Sequence, residues 1–346
     1  MIHLTKLFSD EVSLNVAADL SRRTALRTGL GLSAGLATPP GARAATIMNG
    51  VVVGKNGWLF LAFDDPRQAS SARLGQVTKI INDAVGLIRA RGIECAILVA
   101  PAKARVYPEF LPEDWTFSPE AAQRYGLAVE GLRAGGAVVP DLAQVFAAQR
   151  RSAPGEALYF RNDIHWTPAA AELAATDLVA QLSPRLRLPP SRAPGTRLGE
   201  RVQMPGTEND LLNLLPAPER SKYQVEPFLV RRPLAAAGRD ALVQDDAADV
   251  AVVGNSFAQP KYNLAPMISS LLNRPVSLSW ENHLKGPYRV LLDYLRGAGF
   301  KRHRPKLIVW NIIEQDFGLL PSDGRAFPNN AIPADEFLSG IGQALA

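Results

Sequence analysis

The sequence is poor in the residues that build cross-links and metal centres. Its 346 residues contain one cysteine, Cys95, so no intramolecular disulfide can form. Cys95 sits in the apolar run ECAILVAP, where a thiol behaves as a small buried hydrophobe. There is no H-E-x-x-H motif, no cysteine cluster and no acidic loop, and His283 and His303 stand alone without ligand spacing. Asp163 and His165 could ligate an ion only with partners that are not in view, so no metal and no cofactor are expected. No Lys/Arg run is interleaved with aromatics, which argues against nucleic acid as a partner. No apolar run is long enough to span a bilayer, and neither an internal repeat nor a low-complexity tail is present. A chain of this size without disulfides has to draw its stability from a large core.

What is present begins with an export pattern. The stretch SRRTALRTGLGLSAGLATPPGARA carries paired arginines, a Gly- and Ala-rich apolar run and a small-residue cleavage site at Ala42-x-Ala44. Arg22-Arg23 resembles a twin-arginine signal, with Ala25 where a bulkier apolar residue is usual. A buried N-terminal helix is the other reading of this run. We expect residues 1–44 to be an export signal cleaved near Ala44, leaving 45–346 as the mature chain. The formal charge is +5. Removing the five basic and three acidic residues of 1–44 leaves +3. The remaining composition, 47% hydrophobic and 21% charged, is that of an ordinary globular protein.

Along the mature chain, VVVGKNGWLFL reads as two short strands around a Lys55-Asn56-Gly57 turn. Leu74, Val77, Ile80, Ile81, Val85 and Ile88 then recur at helical spacing, and Gly92 closes the run. The buried strand CAILVAP follows, then helix PEAAQRYGLAVEGLRAGG, strand AVVP and helix DLAQVFAAQR. After an irregular Pro/Arg-rich insert at about 183–239, with one strand near VEPFLV, the alternation resumes. It runs strand DVAVVGNS, helix APMISSLLN, strand VSLSW, helix YRVLLDYLRGAG and strand KLIVWNI. Alternating apolar strands and amphipathic helices predict an α/β fold: a parallel sheet with helices on both faces, in a single large domain.

Ligands of open α/β sheets bind at the carboxyl ends of the strands. There, VAVVGNS ends a strand at Gly254 and puts Ser256 at the turn into the next helix, with backbone N–H groups facing any developing negative charge. Asn255 or Ser256 could equally act as an ordinary helix cap. In YFRNDIHWTPAA, Asp163 and His165 lie just before Thr167-Pro168, an N-cap followed by proline at the first helical position. An imidazole is the natural base for a serine hydroxyl, and a carboxylate fixes its tautomer. The three residues are therefore candidates for a Ser-His-Asp triad.

Four segments occur in a telling order: GKNGWLFL, APAKARVYPEFLP, YFRNDIHWTPAAAELAA and VVGNSFAQPKYN. Together, from about Val51 to Asp316, they resemble the alginate O-acetyltransferase family, SGNH-hydrolase-like enzymes that acetylate exported polysaccharides in the periplasm. The resemblance implies Ser256 as nucleophile, His165 as general base and Asp163 as its orienter. It also implies a membrane-bound O-acyltransferase as the partner that passes acetyl groups outward, with no soluble cofactor. An esterase with the same triad, or a non-catalytic polysaccharide-binding component of an export complex, are the alternatives. The sequence departs from the family pattern in three places. Asn255 stands where Asp or Thr is frequent, and its amide can still serve an oxyanion. In IVWNIIEQDF, Asn311 and Gln315 replace charged members of a Trp-Glu and Glu-Arg motif. No separate carbohydrate-binding module is expected after the domain.

Two further residues remain open at this stage. Lys103 follows a buried strand at its carboxyl end, where it could reach a substrate carboxylate or acetyl oxygen, or be a solvated loop lysine. Tyr262 could stack on a sugar or belong to the core. Trp58 and Trp166 read as packing residues.

Overall fold

The computed structural model describes residues 45–207, 209–234 and 248–346. The export signal read in 1–44 and parts of the insert read at 183–239 lie outside them. A three-stranded antiparallel sheet opens the fold, formed by β1 (Thr46–Met48), β2 (Val51–Val53) and β3 (Leu59–Leu61). The Lys55–Gly57 turn joins β2 to β3, with Asn56 and Gly57 at positive φ.

The main sheet has four parallel strands. In chain order they are β4 (Glu94–Ala100), β7 (Val250–Gly254), β8 (Val276–Trp280) and β9 (Leu307–Ile313), and across the sheet they run β4-β9-β7-β8. Every residue of β7 and β9 is buried, as expected of parallel strands covered on both faces. The two-residue period sorts their side chains into two cores. Ala96, Leu98, Val252 and Val309 face α3 (Leu142–Ser152), α4 (Pro168–Leu182) and α5 (Leu264–Leu272). Ile97, Val99, Val253 and Trp310 face α1 (Ser71–Arg89), α2 (Pro119–Ala134), α6 (Gly286–Arg296) and α7 (Ala334–Leu345). Helices thus cover both faces. Cys95 is buried on the second side and its thiol is pushed up to about 12 by that burial.

Two expectations need correction. AVVP does not form a strand of its own: Val138 makes a single parallel bridge to Ala96. Two residues on, Pro140 has no N–H to carry the ladder further, and α3 begins at Leu142. The insert holds two strands rather than one, β5 (Leu198–Met204) and β6 (Phe228–Pro233), paired antiparallel, together with short helices at Asp210–Leu214 and Ala217–Arg220. β5, with sequence LGERVQM, is half-exposed and lacks an apolar run, so hydrophobic patterning could not reveal it. The Asp210–Leu214 helix packs Leu211 and Leu212 against Val51 and Leu59 of the N-terminal sheet, with Leu215 beside them. The insert is therefore bound to the start of the chain.

Candidate active site

β7 delivers Ser256 to the carboxyl end of the sheet. Gly254 is required just before it: a Cβ there would stand 2.7 Å from the Cβ of Asn311 and 3.0 Å from its carbonyl oxygen on the neighbouring β9. Asn255 then caps the short turn Ser256–Ala258, its Oδ1 accepting from Phe257 N–H at 3.0 Å. That bond fixes the amide orientation and leaves Asn255 Nδ2, which is buried, without a hydrogen-bond partner among the described residues.

The loop before α4 delivers the other two candidates. Thr167 caps the helix and Pro168 occupies its first turn. Trp166, fully buried, donates its indole N–H to Phe257 O at 2.9 Å and so ties this loop to the serine turn. Between those anchors, His165 Nε2 lies 2.7 Å from Ser256 Oγ and His165 Nδ1 lies 2.6 Å from Asp163 Oδ1. The structure brings all three residues together. An ionised carboxylate only accepts, so the proton is on Nδ1 and Nε2 accepts from the serine hydroxyl. Asp163 and His165 are 1% and 2% exposed, whereas Ser256 is half-buried, so the chain of hydrogen bonds opens outward at the hydroxyl.

Both oxygens of Asp163 are bound. Its Oδ1 also accepts from the His165 backbone N–H at 2.8 Å, and its Oδ2 accepts from Asp210 N–H at 2.7 Å. Burial alone would raise its pKa, but the His165 charge and these hydrogen bonds outweigh burial and hold the carboxyl well below the usual carboxylate range. Asp210 is the residue that the sequence reading missed. It belongs to the insert, its exposed carboxylate lies 3.5 Å from His165 Nδ1, and it is brought there by the Leu211/Leu212 packing on the N-terminal sheet. Asp163, His165 and Asp210 offer donor atoms within 4.8 Å of one another, as metal ligands would. The 2.6 Å approach of Asp163 to His165 is accounted for by a shared proton.

Two of the weaker candidates lie elsewhere than on a substrate surface. Lys103 is not a solvated loop lysine and has no donor left for a substrate. It is 6% exposed, and its Nζ donates to Leu59 O at 2.6 Å, Arg161 O at 2.8 Å and Asp163 O at 2.9 Å. Burial pushes its pKa down to about 7, with Asp163 and Glu226 partly offsetting. Tyr262 is fully buried, its ring centroid 5.4 Å from that of His165, and Phe257 lies on the imidazole at 4.9 Å. It is a wall of the imidazole pocket and not an exposed sugar platform. Trp58 packs on Tyr107 and Phe110.

The altered motif after β9 also resolves in space. Glu314 is fully buried and both of its oxygens are bound. Oε2 accepts from Ala102 N–H and Arg105 Nε, each at 2.9 Å. Oε1 accepts from Arg105 Nη2 at 2.6 Å and Arg124 Nε at 3.0 Å. With Gln315 next in sequence, the guanidiniums come from Arg105 and Arg124 instead. Asn311, buried in β9, donates to Leu98 O at 3.3 Å.

Comparison with known proteins decides the family. Residues 51–314 match the family described as SGNH hydrolase-like domain, acetyltransferase AlgX. The chain belongs to that family. It is 29% identical over 283 residues to the probable alginate O-acetylase AlgJ of Pseudomonas aeruginosa, covering 77% of this chain and 70% of that one. The Pseudomonas putida protein of the same name is 30% identical over 278 residues, covering 77% and 70%. Among solved structures, the O-acetyltransferase domain of Pseudomonas putida AlgJ superposes with a TM-score of 0.63 at 26% identity, over 85% of this chain and 99% of that domain. Pseudomonas aeruginosa AlgX, at 19% identity and a TM-score of 0.59 over 84% of this chain and 67% of that one, shares the fold. This SGNH-like acetyltransferase is thus an α/β domain of that family in both sequence and architecture.

Proposed function

We propose that the chain is an O-acetyltransferase that acetylates hydroxyls of an exported polysaccharide in the periplasm through an acetyl-serine on Ser256. The hydrogen-bonded series Asp163–His165–Ser256 carries this reading. His165 Nε2 takes the proton as Ser256 Oγ attacks the carbonyl carbon of an acetyl donor. The tetrahedral intermediate collapses by expelling the donor's leaving group, which receives that proton, and the acetyl ester of Ser256 remains. A sugar hydroxyl, deprotonated by the same nitrogen, then attacks the acetyl-serine and releases Ser256 with its proton restored. Ser256 N–H and the unpartnered Asn255 Nδ2 are the donors offered to the oxyanion; losing one such donor typically costs about 3 kcal/mol of barrier. The donor in the cell would be a membrane-bound O-acyltransferase, and alginate, named for the relatives, is the first polymer to try.

Intact-mass spectrometry after brief exposure to 4-nitrophenyl acetate tests the first step. A single acetyl adduct on the wild type, absent from Ser256→Ala, is expected. Adding polyuronate oligosaccharides should discharge the adduct with acetylation of the sugar. Discharge to acetate alone, whatever acceptor is present, would make the protein an esterase, and no adduct at all would overturn the reading.

A further inference from the structure

Lysine is rarely buried, because desolvating an ammonium is expensive unless every proton finds an acceptor. Lys103 meets that condition with three backbone carbonyls from two parts of the chain, Leu59 on β3 and both Arg161 and Asp163 on the loop before α4. That loop has no regular secondary structure of its own. Its other ties include Leu59 N–H to Arg161 O, Leu212 N–H to Asn162 O, Arg161 N–H to Glu226, Asn162 Nδ2 to Gln224 O, the Tyr159–Trp166 bridge and Trp166 indole bond at its ends, and the Asp163 carboxylate bonds to His165 and Asp210. Lys103 joins three carbonyls of this region at one point. Lys103 is itself held from the sheet, because the Ala102 N–H just before it is bound by Glu314 at the end of β9. A continuous series of contacts runs from β9 through Ala102 and Lys103 to Asp163, His165 and Ser256.

We propose that Lys103 is a positioning residue of the acyl transfer, its ammonium holding the Asp163 loop so that the carboxylate faces the imidazole. This rests on the reading of Ser256, His165 and Asp163 given above. Three carbonyls require three N–H donors, which only the charged form supplies. A neutral amine has two N–H donors and turns its lone pair on the third carbonyl, so one of the three contacts that tie Leu59, Arg161 and Asp163 together is lost. The groups facing Nζ are few. The Trp58 and Phe60 rings lie 5.2 and 5.3 Å away. On the loop are Asp163, with His165 beyond it, and Arg161, whose guanidinium is engaged by Glu226 at 3.0 Å. Glu226 is the other carboxylate that acts on Lys103 among the described residues. With the Lys103 pKa down to about 7, activity should fall as pH rises through that value. Stability moves the other way. Between the folded value of about 7 and the unfolded value of 10.5, the unfolded chain binds the proton and the folded one does not, so the Lys103 contribution grows with pH. Loss of activity on that limb is therefore not unfolding.

The test uses the full chain, hydrolysis or transfer from 4-nitrophenyl acetate, and proton NMR of the low-field His165 Nδ1–H. For Lys103→Met we expect kcat to fall by about 10- to 100-fold, the range that misplaced catalytic geometry produces. KM should stay within about twofold, and the descending limb near pH 7 should vanish. Lys103→Arg, charged at all working pH, should move that limb up by about two units or more. The Nδ1–H line should be sharp in the wild type below the limb and broadened above it and in Lys103→Met. This line needs no turnover, so a missing acetyl adduct on Ser256 would refute the function while the line still tests the lysine. Unchanged kcat, limb and line in Lys103→Met would overturn the proposal. If both variants fail to fold, the wild type decides: the line broadening through pH 7 while the unfolding midpoint holds or rises supports it, and a line constant from pH 6 to 9 refutes it.

Discussion

Two buried charge clusters sit side by side at the carboxyl ends of neighbouring strands, and they are built for opposite ends. Around Glu314, at the end of β9, both carboxylate oxygens are doubly bound by Arg105, Arg124 and Ala102. Arg124 adds Asp64 at 3.5 Å, and no reactive group emerges from the cluster. Around Asp163, beside β7, both carboxylate oxygens are also bound, by three donors, but the hydrogen bonds continue through His165 to a half-buried hydroxyl. A bound carboxylate at one end combined with an opening at the other is what separates a site able to do chemistry from a clamp. Charge and burial alone would not have told them apart.

The contrast can be broken from either side. The largest effect should come from Ser256→Ala, which ought to lower acetyl transfer by about 10⁴-fold or more, the loss seen when a member of such a triad is removed, while leaving the urea unfolding midpoint nearly unmoved. Glu314→Ala should do the reverse in kind. It removes the carboxylate that Arg105 and Arg124 share, leaving Arg105 only backbone carbonyls and Arg124 only Asp64 at 3.5 Å in a site where their side chains are 16% and 11% exposed, and about 3 kcal/mol of stability should be lost by urea titration. The pH response sharpens the comparison next. Burial pushes the Asp64 pKa up to about 7 from 3.8, so the folded state holds a proton that the unfolded state has released. That contribution is fully present below pH 3.8 and is lost as pH rises through 7. Asp64→Asn should therefore gain on the wild type in melting temperature as pH is raised from 4 to 7, and parallel curves would refute it. Smallest of all should be Asp210→Ala. It keeps the backbone N–H that Asp163 uses and removes only an exposed carboxylate 3.5 Å from the imidazole. A change in kcat within about threefold is expected, since exposed charge pairs contribute little; a larger loss would make Asp210 a second orienter of His165.

The parts of this molecule that were legible in the sequence are those with a one-dimensional signal. β4, β7 and β9 announce themselves as apolar runs. Thr167-Pro168 marks a helix start, and Asp163-x-His165 followed by a strand-end serine poses the question of a triad. β5 left no such mark, because its pairing with β6 is made by backbone groups while its side chains stay half in water. Asp210 acts through an N–H that nearly every residue carries, so its type gave no hint. The sequence leaves Lys103 open, because its three protons go to Leu59, Arg161 and Asp163 through contacts 44 to 60 residues away. Arg105 and Arg124 reach Glu314 across 209 and 190 residues.

The strand order β4-β9-β7-β8 has a consequence for how the molecule comes into being. β9 lies between β4 and β7 and is the last strand in the chain. Until Leu307–Ile313 leaves the ribosome, β4 has no neighbour strand to join and β7 can pair only with β8, so neither core can close. Folding of this domain must wait for the chain through β9, as expected of long-range parallel pairing. A nascent chain stopped before residue 305 should remain protease-sensitive across residues 45–305, and one extended through residue 346 should become resistant in a single late step.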